Sequence, residues 1–282
     1  MFNVEGTRYK VKKVKKALFQ TILPGLDYSL NPYFGCYHAC IYCYARKFFL
    51  IRGLDYEWGE YIEIKSNIAS VLAREVRRIP KGSVIGIGTS CDPYQPIEER
   101  MGLMRKILRV LMNRYDLTVE IQTKSTLILR DIDLLREFDE LSVGFTIITA
   151  NNDLGRFLEP KAPIISQRFE ALRKLSDEGI YTWVFVGPIL PYITDSEENL
   201  EKIVKMAKKI GVKKILSDKL RFRLGVRRSL VKALGAKFPS LIEKYKTMKS
   251  NEIEEKYRKS VDFLKKICKK FGVEFEDSSL GY

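Results

Sequence analysis

Residues 31–46 read NPYFGCYHACIYCYAR. Three of the chain's five cysteines fall here, Cys36, Cys40 and Cys43, spaced C-x3-C-x2-C, with Tyr42 just before the last. Three thiolates on one short loop can hold three irons of a cubane cluster. Such clusters are ordinarily held by four cysteines, so a missing fourth ligand leaves one iron open to another molecule. Zinc is the alternative, because Cys36, His38, Cys40 and Cys43 are all zinc-compatible donors and Cys3His sites exist. Four ligands within eight residues do not match the paired-knuckle spacing of structural zinc sites. Spacing therefore favours the cluster.

Strand and helix signals alternate on both sides of this loop. A short first strand is expected at 28–31, before the cysteines, and a helix at 44–51 after them, stopped by Gly53. Compact β-branched runs predict strands at 83–89, 117–122, 141–149, 181–186 and 213–216. Helical spacing predicts helices at 98–114, 130–138, 166–178 and 196–210. Gly179 and Gly211 close the last two. Such alternation predicts a parallel sheet with helices outside it. Six units are too few for a closed eightfold barrel. Beyond residue 227, Ile253, Tyr257, Val261, Leu264, Ile267 and Phe271 recur every three or four residues, the mark of an amphipathic helix. Cys268 lies beside that stripe and reads as a small buried hydrophobe. The N-terminal YKVKKVKK, residues 9–16, reads as an edge strand or a solvated arm.

The chain has 282 residues, 45% of them apolar and 30% charged, the composition of a folded globular protein. No apolar run approaches the ~20 residues of a membrane span, and the start lacks a signal-peptide core. A cytoplasmic protein with no membrane partner is expected. The formal charge of +15 is uneven: residues 21–200 carry 21 basic and 24 acidic side chains, whereas residues 201–270 carry 23 basic and seven acidic. Segregated basic charge suggests a nucleic-acid partner. Thermophile composition, rich in Lys and Glu and here with one His, is the competing explanation.

Several polar motifs follow the expected strands. They are GTSCDPYQPIEER at 88–100, QTKSTLILRDIDLL at 122–135, Glu159-Pro160 followed by Arg168, and GPILPYITD ending at Asp195. With the C-x3-C-x-aromatic-C loop in front, the ordered set resembles the radical S-adenosylmethionine (SAM) enzymes. Within them it is similar to the group related to spore photoproduct lyase, over residues 22–220. The resemblance implies an α/β fold, a partial (β/α)6 TIM-like barrel at 22–226. A basic arm at 1–21 would precede it, and a basic helical appendage at 227–282 would follow.

It also implies roles. Cys36, Cys40 and Cys43 would bind a 4Fe-4S cluster, whose open iron is chelated by the methionine part of SAM. Tyr42 would lie near the adenine. Thr89 to Asp92 would meet the SAM amino group, with Asp92 suited to an ammonium. Lys124 and Ser125 would contact ribose or carboxylate, Arg168 would pair with the SAM carboxylate, and Glu159 would be a further polar contact. Salt bridging at a barrel rim is the alternative for each charged residue. Cys91 would act as a hydrogen-atom donor; otherwise it is a small strand-end residue or a fourth cluster ligand. The function expected is reductive cleavage of SAM to a 5′-deoxyadenosyl radical, on nucleic acid or else on a protein or small molecule. A ferredoxin or flavodoxin would supply the electron. A non-catalytic zinc or iron–sulfur protein is the remaining alternative.

Overall fold

The computed structural model describes residues 1–279. The last three residues of the expected appendage lie outside the described residues. The early strands are β1 (Phe2–Val4), β2 (Thr7–Lys12), β3 (Leu18–Gln20), β4 (Tyr28–Leu30), β5 (Tyr33–Phe34) and β6 (Tyr61–Lys65). After these come β7 (Val84–Ile87), β8 (Thr118–Thr123), β9 (Leu141–Thr146), β10 (Tyr181–Ile189), β11 (Lys214–Lys219) and β12 (Glu274–Asp277).

The larger sheet has the order β3-β4-β7-β8-β9-β10-β11-β12. Strand β3 is antiparallel to β4, and every later neighbour pair is parallel. All six expected strands are present and stand side by side in chain order. The edges β3 and β12 do not pair with each other, so the barrel is partial and open. Alternation is plain in β8, where Val119 and Ile121 are buried and Glu120 and Gln122 face the other way, half-buried. Ile85, Ile87, Val143, Phe145, Val184, Val186 and Ile215 join that buried face. Because the strands are parallel, their C-terminal ends share one edge. Thr89 to Asp92 and Lys124 with Ser125 leave from it directly, and the segment after β4 leads from it through β5, a strand of a second sheet, into the cysteine loop.

A smaller sheet, β1-β2-β6-β5, was not anticipated beyond its basic strand. That strand, β2, lies between β1 and β6 rather than at an edge.

Helices α1 (Lys47–Ile51), α2 (Ile68–Glu75), α3 (Glu98–Met101), α4 (Leu103–Leu111), α5 (Ile132–Leu135) and α6 (Asn152–Leu158) serve the first half. Helices α7 (Ile165–Asp177), α8 (Glu197–Lys209), α9 (Val226–Lys237), α10 (Ile242–Thr247) and α11 (Ser250–Phe271) serve the second. The single helix expected at 98–114 is broken, because Gly102 takes a left-handed φ of +56°. The buried Glu98 carboxylate then accepts the Leu103 and Met104 N–H groups at 3.0 and 2.9 Å. These are orphan donors of the new helix start. The helix expected at 130–138 is present as the short α5, entered through a 3-10 turn, Thr126–Asp131.

The C-terminal stripe forms α11 as expected, with Ile253, Tyr257, Val261, Leu264, Ile267 and Cys268 buried. The segment also supplies β12, a seventh parallel strand that the helical reading did not contain. A second apolar cluster gathers Leu220, Val226, Leu230, Leu234 and Tyr245 around Cys40 and Tyr42. Helices α9 and α10 therefore pack against the back of the cysteine loop. Among the described residues no helix is long and apolar enough to cross a membrane.

Glu98 also accepts the Tyr33 hydroxyl at 2.5 Å and Arg130 Nη2 at 2.9 Å. Glu98→Ala leaves the Tyr33 hydroxyl and the Leu103 and Met104 N–H groups unpaired in the interior, Arg130 keeping Asp131, and should cost about 3–5 kcal/mol of stability. Urea unfolding against a surface Glu→Ala control measures it.

Candidate active site

Gly35 sets the entry to the cysteine loop. Its φ is +84°, and a Cβ there would lie 2.3 Å from the Tyr61 carbonyl oxygen. Only glycine allows this approach. Arg46 then ties the loop to itself, donating Nε to the Cys43 carbonyl at 3.2 Å and Nη2 to the Cys40 carbonyl at 2.9 Å. Gln95 accepts the Tyr37 N–H at 2.9 Å. Asn31 bridges to the loop after β7, donating Nδ2 to Thr89 Oγ1 at 2.9 Å and accepting the Ser90 N–H at 2.9 Å. Asn31, Arg46 and Gln95 were not assigned roles from the sequence. Asn31 and Arg46 bracket the cysteine motif, which is the signal that could have found them.

Cys36 and Cys40 are buried and Cys43 is half-buried. Burial is the largest cause of a raised pKa at all three, and it pushes Cys40 up to about 12. Without a cation such thiols stay protonated; bound iron would reverse that balance. Among the described residues, no group of three or more His, Cys, Asp or Glu side chains is arranged to hold a single metal ion. A cubane has a different demand, one sulfur at each of several irons. His38, the fourth ligand of the zinc alternative, turns Nδ1 toward Asp92 Oδ2 at 3.4 Å without hydrogen-bond geometry. Burial lowers its pKa to about 4, so the ring is neutral.

Asp92 is the hub of the strand ends. Oδ1 accepts the Tyr94 N–H at 2.9 Å and the Thr123 hydroxyl at 2.7 Å; Oδ2 accepts the Lys124 N–H at 2.7 Å. Its own N–H points at Cys36 Sγ, 3.5 Å away. Thr89 is half-buried, and its carbonyl accepts the Tyr44 hydroxyl at 2.6 Å. Ser125 caps the turn after β8, its Oγ accepting the Leu127 N–H at 3.2 Å.

Glu159 is fully buried at the end of α6 and forms an ion pair with Arg168 Nη1. It also accepts the Tyr42 hydroxyl, and Lys124 Nζ lies 3.8 Å from Oε1. Burial acts to raise its pKa, but Arg168 first and Lys124 next hold it below the ordinary carboxylate range. Arg168 spends Nε on the Pro163 carbonyl at 2.8 Å and Nη1 on the Thr146 carbonyl at 3.0 Å. Lys124 Nζ stands 6.0 Å from the Tyr42 ring centroid. Tyr42, Lys124, Glu159 and Arg168 are thus one group, and Asp92 joins it through the Lys124 backbone.

Cys91 makes no hydrogen bond to that group among the described residues. Its thiol is buried and donates to the Tyr33 carbonyl at 3.3 Å, and burial pushes its pKa up to about 12.

Arg168→Met leaves the Glu159 carboxylate buried without its main partner and should cost about 3–5 kcal/mol. Combining it with Glu159→Gln should recover most of that loss. Denaturant unfolding of the two single variants and the double variant checks both statements.

Residues 30–207 match the Radical SAM superfamily. An uncharacterised protein of Methanocaldococcus jannaschii is 37% identical over 186 residues, 66% of this chain and 69% of that protein. An uncharacterised protein of Mycobacterium tuberculosis is 31% identical over 229 residues, 78% of this chain and 66% of that protein. The chain thus spans about two-thirds of the length of these relatives. Among solved structures, a spore photoproduct lyase mutant with bound SAM and dinucleoside spore photoproduct superposes with a TM-score of 0.72 at 14% identity. That match covers 96% of this chain and 81% of the lyase. Streptococcus suis SuiB bound to SAM gives 0.57 at 11% identity, over 88% of this chain and 49% of that one. At such identities the likeness is one of fold, and the fold agrees with the partial barrel described above. By its matched residues and by this fold, the chain belongs to the radical SAM superfamily, enzymes that work with a 4Fe-4S cluster and S-adenosylmethionine.

Proposed function

We propose that Cys36, Cys40 and Cys43 hold the 4Fe-4S cluster, that SAM binds across the adjoining strand ends, and that the substrate is a nucleic acid. The observation that carries the cofactor assignment is the siting of three soft donors on one loop. It lies beside the strand ends that carry Asp92 and Lys124, with the Asp92 N–H 3.5 Å from Cys36 Sγ. Buried, apolar surroundings suit thiolates neutralised by iron and disfavour free ones. Together the cluster and SAM supply one-electron cleavage of the sulfonium and the 5′-deoxyadenosyl radical that takes a hydrogen atom from substrate.

The chain's own residues hold and orient. Asp92 Oδ2 accepts one N–H and keeps a lone pair for the SAM ammonium. Ser125 accepts through Oγ and retains its hydroxyl proton for ribose or carboxylate. Lys124 offers its ammonium beside the Tyr42 ring, which we assign to the adenine, and Thr89 completes the strand-end wall. Arg168 is read as a positioning residue for Glu159 rather than the carboxylate contact implied by the resemblance, because its Nε and Nη1 are already engaged. Cys91 is read as a packing residue, since its S–H is spent on Tyr33.

Two features support the nucleic-acid reading. One is the solved lyase of the same fold, which carries a dinucleoside lesion. The other is the outer face of α11, where Arg258, Lys265, Lys266, Lys269 and Lys270 are exposed. A basic face of this kind attracts phosphates. The electron would come from a ferredoxin or flavodoxin.

Anaerobically reconstituted protein should hold about four irons per chain and convert SAM to 5′-deoxyadenosine with dithionite. Ala at Cys36, Cys40 or Cys43 should abolish both, and Cys91→Ala should retain both. Iron analysis and chromatography read the outcome; full activity in any loop variant would end the assignment. Fluorescence anisotropy with DNA and RNA oligonucleotides tests the substrate class. Log affinity should fall linearly with log salt, and binding that ignores salt would point to a protein or small-molecule substrate.

A further inference from the structure

Directly after Cys43 the chain turns through Tyr44–Arg46 into α1. That short helix buries only Phe49. Leu50 is 52% exposed and Ile51 68%. The turn before α9 comes alongside, since a Cβ built on Gly225 would lie 2.8 Å from the Leu50 side chain and 3.4 Å from Arg46. Leu224, next to it, is 59% exposed. Three large aliphatic side chains therefore border one ridge beside the cysteine loop, where isolated exposed apolar residues would need no explanation.

Cations flank the ridge. Lys47 Nζ stands 5.0 Å from the Phe48 ring centroid and 5.5 Å from that of Tyr44. Burial first, and Arg223 second, lower the Lys47 pKa, which places two like charges close together. Among the described residues neither Lys47 nor Arg223 has a carboxylate within ion-pair distance. The neighbouring carboxylate of Glu57 is already 3.5 Å from Lys232.

We propose that this ridge docks a small acidic one-electron carrier protein. Leu50, Ile51 and Leu224 form the apolar centre, and Lys47 and Arg223 pair with the carrier's carboxylates. The proposal rests on the cluster assignment made above. An apolar centre with a charged rim is the anatomy of a protein interface, and redox encounters use small patches of this kind. Complementary charge raises the encounter rate. A nucleic acid would instead be met by phosphate contacts together with stacking planes, and the most exposed side chains here are aliphatic. Position favours the carrier too. Cys43, the least buried of the three loop cysteines, adjoins the ridge, whereas Asp92, Lys124 and Glu159 gather at the strand ends. One electron leaves the carrier, which is oxidised by one equivalent, and is taken up at the cysteine-held centre; no bond forms or breaks at the interface.

The test uses the reconstituted 282-residue chain and a flavodoxin reduced to its hydroquinone. Calorimetry should show a Kd that rises about tenfold in Lys47→Glu/Arg223→Glu and rises with salt in the wild type. Leu224→Glu, in a turn rather than a helix, should weaken binding similarly and serves if the double variant folds poorly. Flavodoxin-driven SAM cleavage at subsaturating carrier should fall in parallel, while dithionite-driven cleavage stays unchanged. Unchanged flavodoxin affinity in these variants overturns the proposal, as does a loss of oligonucleotide affinity with flavodoxin affinity intact. Wild-type protein that cannot cleave SAM with dithionite defeats the cluster assignment instead, and the flavodoxin Kd still decides the ridge.

Discussion

Asp92 joins three pieces of chain that would otherwise move separately. It accepts from Tyr94, from the Thr123 hydroxyl and from the Lys124 backbone, and its own N–H reaches Cys36 Sγ. A buried carboxylate is stable only when its oxygens are satisfied, and charge-assisted bonds of this kind are the stronger ones. The ends of β7 and β8 are thereby held to each other and to the cysteine loop. Asn31 and Gln95 repeat the same connection with neutral amides. A site that must position a cofactor and contain a radical gains from such restraint.

The loop also sits at the seam of two apolar clusters. Cys36 and Cys91 belong to the core beneath the sheet, and Cys40 and Tyr42 to the cluster formed with α9 and α10. Part of the loop's support therefore comes from chain that follows the last strand of the expected barrel. Glu159 strengthens this side, because Tyr42, Lys124 and Arg168 converge on one buried carboxylate. Loss of any single partner leaves charge in a low-dielectric interior, which is why these residues act as a set.

The cysteine loop is consequently two-sided. Toward the sheet it meets the strand ends, with hydroxyl, carboxylate and ammonium groups at hand. Toward α1 it meets exposed Leu50 and Ile51 and the cations Lys47 and Arg223. On the reading proposed above, this asymmetry would separate the face that meets cofactor and substrate from the face that meets a visiting protein.

Much of the architecture was legible in the amino-acid order, because it is local. The C-x3-C-x2-C spacing brings three thiols onto one loop whatever surrounds them. The six strands were readable since each is a compact apolar run bounded by turn residues, and Gly53, Gly179 and Gly211 marked helix ends correctly. Other features were not local. The apolar period runs straight through Gly102, and only the buried Glu98 carboxylate, accepting from Tyr33 65 residues away, gives the break its purpose. The strand β12 reads EFED, too short and too acidic to declare itself without β11 beside it. Tyr42 and Glu159 are 117 residues apart, and nothing in their spacing says that they meet. Nor could it say that Arg168 would turn inward to Glu159. Residue types and short spacings determined the donor chemistry and the alternation of strands and helices. Tertiary structure decided which partner each buried charge would find, because that choice depends on distances closed only when remote segments pack.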